Sequence, residues 1–174
     1  IDAEQYIREE FDWIRSATPN GEGEDYLTIE REGRTYPLDK RFRELALKGL
    51  AVWEQKMRDI GVTDYLGIAA SVYKHLDKLI PRYRHILVDE SQDFGTCELK
   101  IIRALVEESP NDLFLAGDAT QKISTKHQSL KSAGIQIHSS RVDKLIKNYR
   151  NGRHTLEFAH EILLSHMTEE TLRE

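Results

Sequence analysis

Acidic residues follow two short apolar runs of this sequence. The run at 85–88 leads into residues 89–93 (DESQD), and the run at 113–116 leads into residues 117–121 (GDATQ). Ligands of open α/β sheets bind at the carboxyl ends of the strands, so both segments are expected at one sheet edge. A strand that ends in Asp-Glu suits phosphate hydrolysis, because the Asp can help to hold hydrated Mg²⁺ and the Glu can polarise the attacking water. A lone pair of this kind more often caps the next helix or faces solvent.

A third segment, residues 148–150, reduces the number of functions that fit these patterns. Residues 148–150 (NYR) follow the two acidic segments. The three patterns in this order resemble the UvrD/Rep-like branch of the superfamily 1 DNA helicases, in which they read DExQD, GDxxQ and NYR. The resemblance is specific from residue 86 to residue 150. A looser similarity, to the helical insertion that precedes DExQD in this family, is carried by residues 26–27, 31–34, 53 and 64–65.

The resemblance implies roles for five residues. Asp89 would coordinate Mg²⁺ with the adjacent Glu90, and Glu90 would be the general base that activates water against the γ-phosphate of ATP. Gln121 would sense the γ-phosphate or the attacking water and couple it to DNA contacts. Tyr149 would stack on the adenine, and Arg150 would reach the γ-phosphate. A tyrosine ring does offer a base a stacking face, and a guanidinium pairs with phosphate through two hydrogen bonds.

The implied protein is an ATP-dependent DNA helicase, a DNA-stimulated ATPase that moves along single-stranded DNA. We expect an α/β fold: part of a RecA-like parallel sheet of the P-loop NTPase kind, preceded by an α-helical subdomain. Residues 1–62 would form the helical insertion, residues 63–150 the C-terminal part of the first RecA-like domain, and residues 151–174 a helix that leads towards the second motor domain. The expected partners are single-stranded or partially duplex DNA and the remaining domains of the same polypeptide.

One part of the family's nucleotide site is missing from the sequence. None of the 10 glycines precedes a lysine, so the chain has no Gly-Lys-Ser/Thr cradle for phosphates. The family places that cradle well upstream of DExQD, and the chain begins with Ile1. We therefore expect an internal fragment that hydrolyses ATP negligibly by itself.

The segment after GDATQ departs from the family. Relatives continue with aromatic residues that stack on single-stranded bases, whereas residues 122–127 (KISTKH) lack them. Stacking contributes roughly 1–3 kcal/mol per base, so its loss should weaken or re-route strand contact. Lys122, Lys126 and His127 are candidates for substitute phosphate contacts, although loop lysines are more often solvated. The residues that contact DNA are not assigned.

Two other functions remain open. One is a non-catalytic interaction or DNA-binding module derived from a helicase. The other is a metal-dependent nuclease with a carboxylate cluster around two cations, formed by Asp89, Glu90, Asp93 and Asp118. We interpret Asp118 as a structural cap, and Gln92 and Asp93 as residues that orient their loop.

The first 80 residues show helical periodicity. Ile7, Phe11 and Ile14 mark one face of a first helix, and a long second helix begins after Asp39 as its N-cap. Gly61 stands where a left-handed C-terminal cap belongs, and a third helix starts soon after it. The sequence therefore predicts a largely helical N-terminal part.

From residue 85 the pattern changes to strand, helix, strand. The nearly continuous apolar runs at 85–88 and 113–116 are typical of strands buried on both faces of a parallel sheet, and Thr96 is the predicted cap of the helix between them. Weaker extended pieces are expected at 135–137 and 142–147. This order is the signature of an α/β domain.

Composition excludes several classes of protein. With 25 Lys+Arg against 30 Asp+Glu, the net charge of -5 argues against a polybasic nucleic-acid binder. Hydrophobic residues at 39% allow a packed core, and no apolar stretch approaches the roughly 18–20 residues of a membrane span. The single cysteine, Cys97, excludes an internal disulfide, fits a reducing cytoplasmic setting and is predicted to be a buried small side chain.

Overall fold

The computed structural model describes residues 2–17, 24–31, 33–34, 36–122 and 124–166 of the chain. The helices and strands are α1 Ala3–Ala17, α2 Glu24–Thr28, α3 Lys40–Asp59, α4 Tyr65–Tyr73, β1 Ile86–Val88, α5 Thr96–Ala104, β2 Leu113–Leu115 and α6 Arg153–His166. Short 3₁₀ turns lie at Leu76–Lys78, Ser91–Asp93, Ala119–Gln121 and Ser139–Arg141. The chain forms two compact units, Ile1–Gln136 and Ile137–Glu174, and each is described by itself.

The helices before β1 have a hydrophobic core of their own. Trp13 and Ile14 of α1 pack with Tyr26 of α2 and with Ala46 and Leu50 of α3. The rings of Trp13 and Tyr26 are fully buried, with their centroids 6.0 Å apart. Buried aromatic side chains contribute large apolar areas, so these two rings are central to the packing of the short elements.

The buried face of α1 agrees with the prediction only in part. The sequence predicts one inward face through Ile7, Phe11 and Ile14. Ile14 is buried and Phe11 packs against the core, but Ile7 is 41% exposed, whereas Glu10 and Trp13 are fully buried. Hydrophobic periodicity assigns a glutamate to the solvent side of a helix. The helix turns Glu10 inward because other residues of this unit supply that carboxylate with hydrogen-bond donors.

Those donors form a buried ionic network around Glu10. Its carboxylate accepts hydrogen bonds from the Tyr26 hydroxyl, from Arg31 Nε at 2.8 Å and from Arg34 Nε at 3.0 Å. Burial alone would raise the pKa of Glu10, but the hydrogen bonds from Arg31 and Tyr26 and the charges of Arg31 and Arg34 lower it. A buried charge is tolerated only when it is paired in this way, so the network ties α1 to the chain that follows α2.

The helix boundaries follow local capping chemistry. Asp39 accepts a hydrogen bond from the Phe42 backbone N–H at 2.9 Å and begins α3 as predicted. Gly61 has φ 72° just beyond the end of this helix, as predicted for a left-handed cap. Asp64 caps α4 through the Gly67 N–H at 2.7 Å.

Two parallel strands carry the acidic segments. β1 and β2 pair in register, with α5 as the crossover between them. One sheet face packs against Leu99 of α5 and against Ala133 and Ile135. On the other face Leu87 and Phe114 lie side by side and are 76% and 62% exposed. The α/β class is confirmed, but the prediction of strands buried on both faces is wrong for the described residues, because only one face is covered.

Two predicted extended pieces are not strands. Residues 135–137 have no strand pairing in the described structure, and Ile135 instead fills the core beside α5. Residues 142–147 in the second unit are likewise without strand structure, and Leu145 and Ile146 are almost fully exposed. Ile135 is thus an apolar core residue, and the apolar side chains of residues 142–147 are exposed. Neither segment pairs with a strand in the described structure. No helix in the described part of the chain has the length and apolar character that a membrane crossing requires.

Candidate active site at the strand ends

The two acidic segments lie side by side at one edge of the sheet. Beyond the strands the pairing continues, because Ala116 N donates to Val88 O at 2.8 Å and Ser91 N donates to Ala116 O at 2.8 Å. Residues 89–93 and 117–121 therefore leave the parallel strands next to each other. This is the edge at which open α/β sheets bind ligands.

Glu90 adopts an uncommon backbone conformation. Its φ of 50° and ψ of 42° are left-handed, which costs an L-residue roughly 1–2 kcal/mol. The turn is fixed on both sides: Asp89 Oδ1 accepts the Glu90 N–H at 3.0 Å, and Asp93 N donates to Glu90 O at 3.0 Å. Residues Asp89 and Glu90 are both exposed. Strain of this kind concentrates at functional sites, and here it falls on the residue that the sequence singles out as the base.

Gln92 connects the two acidic segments through its side chain. The residue is buried, and its Nε2 donates to Glu90 Oε2 at 2.7 Å. Its Oε1 accepts the Asp118 backbone N–H at 3.0 Å. The predicted role of Gln92 in orienting its loop thus has a definite geometry, with one contact to each segment.

Gly117 permits the close approach of the two segments. A Cβ atom at this position would lie 2.6 Å from Gln92 Oε1, 2.6 Å from Ser91 Oγ and 3.2 Å from Gln92 N. Real Cβ atoms essentially never come within 3.0 Å of another heavy atom. The glycine of GDATQ is therefore required by packing, which the sequence pattern did not indicate.

Asp118 organises the turn that carries Gln121. Its carboxylate accepts hydrogen bonds from Thr120 N at 2.9 Å, Thr120 Oγ1 at 2.6 Å and Gln121 Nε2 at 2.8 Å. The hydrogen bonds from Thr120, supported by Gln121, lower the pKa of Asp118. The geometry agrees with the interpretation of Asp118 as a structural cap, and it holds the Gln121 amide against the turn.

The segment after GDATQ packs against α1 and α5. Lys126 forms a partly buried ion pair with Glu98 at 2.7 Å, so this lysine is paired within the protein rather than fully solvated. His127 N donates to Ser16 Oγ of α1 at 2.9 Å, and the His127 and Trp13 ring centroids are 5.2 Å apart. These contacts hold the segment to α1 and to α5.

The N-cap of α5 is Gly95 and not Thr96, so the predicted cap is wrong. Gly95 is the N-cap, and its N–H donates to Glu98 Oε2 at 2.7 Å. Thr96, predicted as the cap, is the first helical residue. Its N–H donates to His127 O at 2.9 Å and its Oγ1 accepts the Ser129 N–H at 2.9 Å. The Thr96 hydroxyl therefore binds the loop at residues 127–129 and does not cap the helix.

Tyr149 and Arg150 belong to the second unit. Asn148 Oδ1 accepts the backbone N–H groups of Arg150 and Asn151, each at 2.9 Å, which folds the NYR segment into a turn. Tyr149 is 84% exposed, and Lys147 Nζ lies 5.0 Å from its ring centroid. The convergence of Arg150 with residues 89–93 and 117–121 stays a prediction.

Asp89 and Glu90 suit the chemistry of a magnesium site. Asp89 Oδ2 takes no hydrogen bond from any described residue, and carboxylate oxygens are the ligands that Mg²⁺ prefers. Magnesium in phosphate-processing sites is usually held by one or two carboxylates together with waters and substrate phosphates. The two residues fit that part of such a site.

The structure confirms the prediction for Cys97 and gives no support to the nuclease hypothesis. Cys97 is buried, and burial raises the pKa of its thiol to about 12, so it remains protonated at neutral pH. The described residues contain no group of three or more His, Cys, Asp or Glu side chains that could hold a metal ion. The nuclease hypothesis requires such a cluster, and the structure does not assemble one from Asp89, Glu90, Asp93 and Asp118.

Comparison with protein families agrees with the sequence patterns. The family described as the UvrD/REP helicase N-terminal domain matches residues 32–125, more than half of the chain, which includes residues 89–93 and 117–121. Neither curated proteins nor solved structures give a match. On the extent of the family match, the chain belongs to the UvrD/REP helicase family.

Proposed function

We propose that this chain carries the catalytic edge of the first motor domain of an ATP-dependent DNA helicase. One observation supports the proposal most directly. The Asp-Glu pair and the GDATQ segment follow adjacent parallel strands and are joined through the side chain of Gln92. Two family segments that are apart in the sequence thus meet at the edge where α/β sheets bind ligands.

In this proposal three residues at the strand ends have defined tasks in ATP hydrolysis. Glu90 takes the proton of the water that attacks the γ-phosphate of ATP, and Asp89 supplies a carboxylate oxygen to Mg²⁺. When bound, Mg²⁺ neutralises charge on the phosphates. Gln121 contacts the γ-phosphate or the water, which requires its amide to leave Asp118 when nucleotide binds. Hydrolysis then depends on the state of the GDATQ turn.

The second unit would complete the nucleotide site. Tyr149 would stack on the adenine, since its exposed ring is held in a turn by Asn148. Arg150 would pair with the γ-phosphate, where a guanidinium offers two hydrogen bonds and a permanent positive charge. Both roles come from the family resemblance.

The open sheet face supports a larger RecA-like domain. Leu87 and Phe114 are exposed there, whereas parallel sheets are normally covered on both faces. We propose that other parts of the same polypeptide cover this face and supply the phosphate cradle. Residues 1–62 would be the helical insertion, residues 63–150 part of the first motor domain and residues 151–174 the passage to the second.

DNA is the proposed substrate of the motor, and translocation along a single strand is its proposed action. In this chain the segment after GDATQ is fastened by Lys126 and His127 rather than exposed for stacking. We therefore propose that strand contact is made elsewhere in the intact protein. ATP-driven closure of a cleft between two motor domains would move the strand.

The decisive test uses the intact protein and the variant Glu90→Gln. We expect this substitution to lower DNA-stimulated phosphate release by about 10²–10⁴-fold, because it removes the general base, while nucleotide binding is retained. The variant Glu107→Gln is the control, since it makes the same change at an exposed position outside both acidic segments. The chain of residues 1–174 alone should release phosphate at background rate. Normal turnover by the Glu90→Gln protein would remove Glu90 from its role, and DNA binding without any ATPase would favour the non-catalytic module.

A further inference from the structure

Gln92 is a buried side chain whose two polar atoms are both engaged at the candidate site. Only 7% of the residue is exposed. Its Nε2 donates to the carboxylate of Glu90 at 2.7 Å, and its Oε1 accepts the Asp118 N–H at 3.0 Å. A primary amide offers a donor and an acceptor at the same end of one side chain, and this position uses both.

The position of that amide is restricted by its neighbours. Gly117 lies so close that a Cβ atom there would be 2.6 Å from Gln92 Oε1. The amide therefore has little room to move, and it can orient the Glu90 carboxylate from a fixed point.

The contacts continue from Gln92 to Gln121. Asp118 donates its backbone N–H to Gln92, and its carboxylate accepts the Gln121 amide at 2.8 Å. A continuous path of contacts therefore joins Glu90, Gln92, Asp118 and Gln121. The path connects the proposed base with the proposed γ-phosphate sensor inside one chain.

We propose that Gln92 is a positioning residue for hydrolysis, which holds the Glu90 carboxylate in place and makes its position depend on the GDATQ turn. This inference rests on the proposed role of Glu90 as general base. Gln92 itself does not contact nucleotide in this proposal. It acts only through Glu90 and Asp118.

Two substitutions separate the two contacts in the intact protein. Gln92→Glu keeps an acceptor for the Asp118 N–H but cannot donate to Glu90 when ionised, and Gln92→Met removes both contacts at similar volume. We expect either change to lower kcat about 10- to 100-fold, the usual effect of losing a supporting residue. The KM for ATP should change less than about threefold, because binding is not the step affected. If the buried charge of Gln92→Glu prevents folding, the kcat of the neutral Gln92→Met variant tests the proposal instead.

Gln128→Met is the matched control. Gln128 Nε2 donates to Ser91 O at 2.6 Å and to Phe94 O at 3.0 Å, so it clamps the same turn without contacting Glu90. A loss of kcat in the Gln92 variants that Gln128→Met does not share separates positioning from general loop stability. Equal losses in both would overturn the proposal.

A double-mutant cycle with Glu90→Gln tests the coupling. If Gln92 acts through Glu90, its substitution should lower the residual rate of Glu90→Gln by less than about twofold. Full additivity would overturn the inference, as would wild-type kcat in folded Gln92→Met. In those cases a Glu90→Gln protein that has lost turnover would leave the proposed function standing. If the wild-type protein shows no ATPase, or if Glu90→Gln turns over normally, both the function and the inference fall.

Discussion

Two glutamates of this chain are placed in opposite ways. Glu10 in the helical part is fully buried and is surrounded by Tyr26, Arg31 and Arg34. Glu90 at the sheet edge is exposed and has a left-handed backbone, and among the described residues its carboxylate receives a hydrogen bond from one side chain, Gln92. The first carboxylate has its charge neutralised within the protein, whereas the second remains available to a ligand.

Burial and pairing distinguish a carboxylate that stabilises the fold from a carboxylate that can contact a ligand. A buried, fully paired carboxylate contributes when its partners are present and destabilises when one of them is removed. A strained and exposed carboxylate contributes nothing of this kind to folding, and its conformation has a cost. Substitutions at the two positions should therefore change stability by very different amounts.

The largest effect is expected for Glu10→Ala. It leaves the buried Arg31 cation with neutral oxygens as partners and leaves Arg34 with Glu9 alone as its carboxylate partner, and it should lower the free energy of unfolding by about 3–5 kcal/mol. Urea unfolding of the chain, followed by circular dichroism, measures the change. Glu4→Ala is the control, because the Glu4–Arg8 pair is exposed and should contribute less than about 1 kcal/mol. Equal effects of the two substitutions would contradict the importance of the network.

The same network predicts a dependence of stability on pH. The pKa of Glu10 is lowered in the folded state from an ordinary value of 4.5. Its contribution is therefore complete above pH 4.5 and is lost as the pH falls through its lowered pKa. Unfolding free energies measured from pH 7 down to pH 3 should fall more steeply for the wild type than for Glu10→Gln. Parallel curves would show that Glu10 does not titrate differently in the folded protein.

An intermediate effect is expected for Gly117→Ala at the sheet edge. The added methyl group must displace Gln92 and Ser91, and overpacking of this kind costs about 1–3 kcal/mol. Gly152→Ala is the matched control, because a Cβ atom there meets nothing within 4 Å. Thermal unfolding of both variants tests the prediction, which fails if Gly117→Ala melts like the wild type.

A smaller effect is expected for Lys126→Met. Removal of the partly buried ion pair with Glu98 should lower stability by about 1 kcal/mol. Single-stranded DNA affinity of the intact protein should stay unchanged, because this lysine is already paired. Lys131→Met, at an exposed position, is the control in both unfolding and fluorescence-anisotropy titrations. A selective loss of DNA affinity in Lys126→Met would show that the ion pair opens to bind the strand.

The smallest effect on stability is expected for Glu90→Gly. Glycine tolerates φ 50° without strain, but the substitution also removes the acceptor of the buried Gln92 amide. These effects oppose each other, so stability should change by less than about 1 kcal/mol. The same substitution should abolish ATPase in the intact protein. Chemical unfolding and phosphate release, measured together, test this combination. Clear destabilisation would show that the Glu90 side chain has a structural task.

Local signals predicted much of this fold correctly. Asp39 and Gly61 mark the ends of α3 because capping depends on one residue and its immediate neighbours. The two strands were predicted by their apolar runs. The inward position of Glu10 was not predictable, because its donors are 16 to 24 residues away along the chain. Likewise, residues 142–147 have a strand-like composition, but a strand also needs a neighbour to pair with.

The sequence predicted that the two acidic segments lie together, but not how they are connected. The family resemblance names Asp89, Glu90 and Gln121 as candidates, and their roles stay predictions. The bridging geometry of Gln92 and the packing of Gly117 depend on how two loops meet in space, which no spacing in the sequence encodes. The role of Thr96 was misassigned for the same reason, since its hydroxyl binds a loop about 30 residues further along.

The bond between Ser16 and His127 has a practical consequence for dissecting this protein. It joins the first helix to the loop that follows the candidate site, and a Cβ atom at Gly95 would lie only 2.7 Å from Ser16 Cβ. A shortened polypeptide that starts at residue 63 would lack Ser16 and Trp13, which would expose the backbone N–H and the imidazole ring of His127. Expression of the sheet region alone is therefore expected to give poorly soluble material, and a useful truncation series should retain residues 3–17.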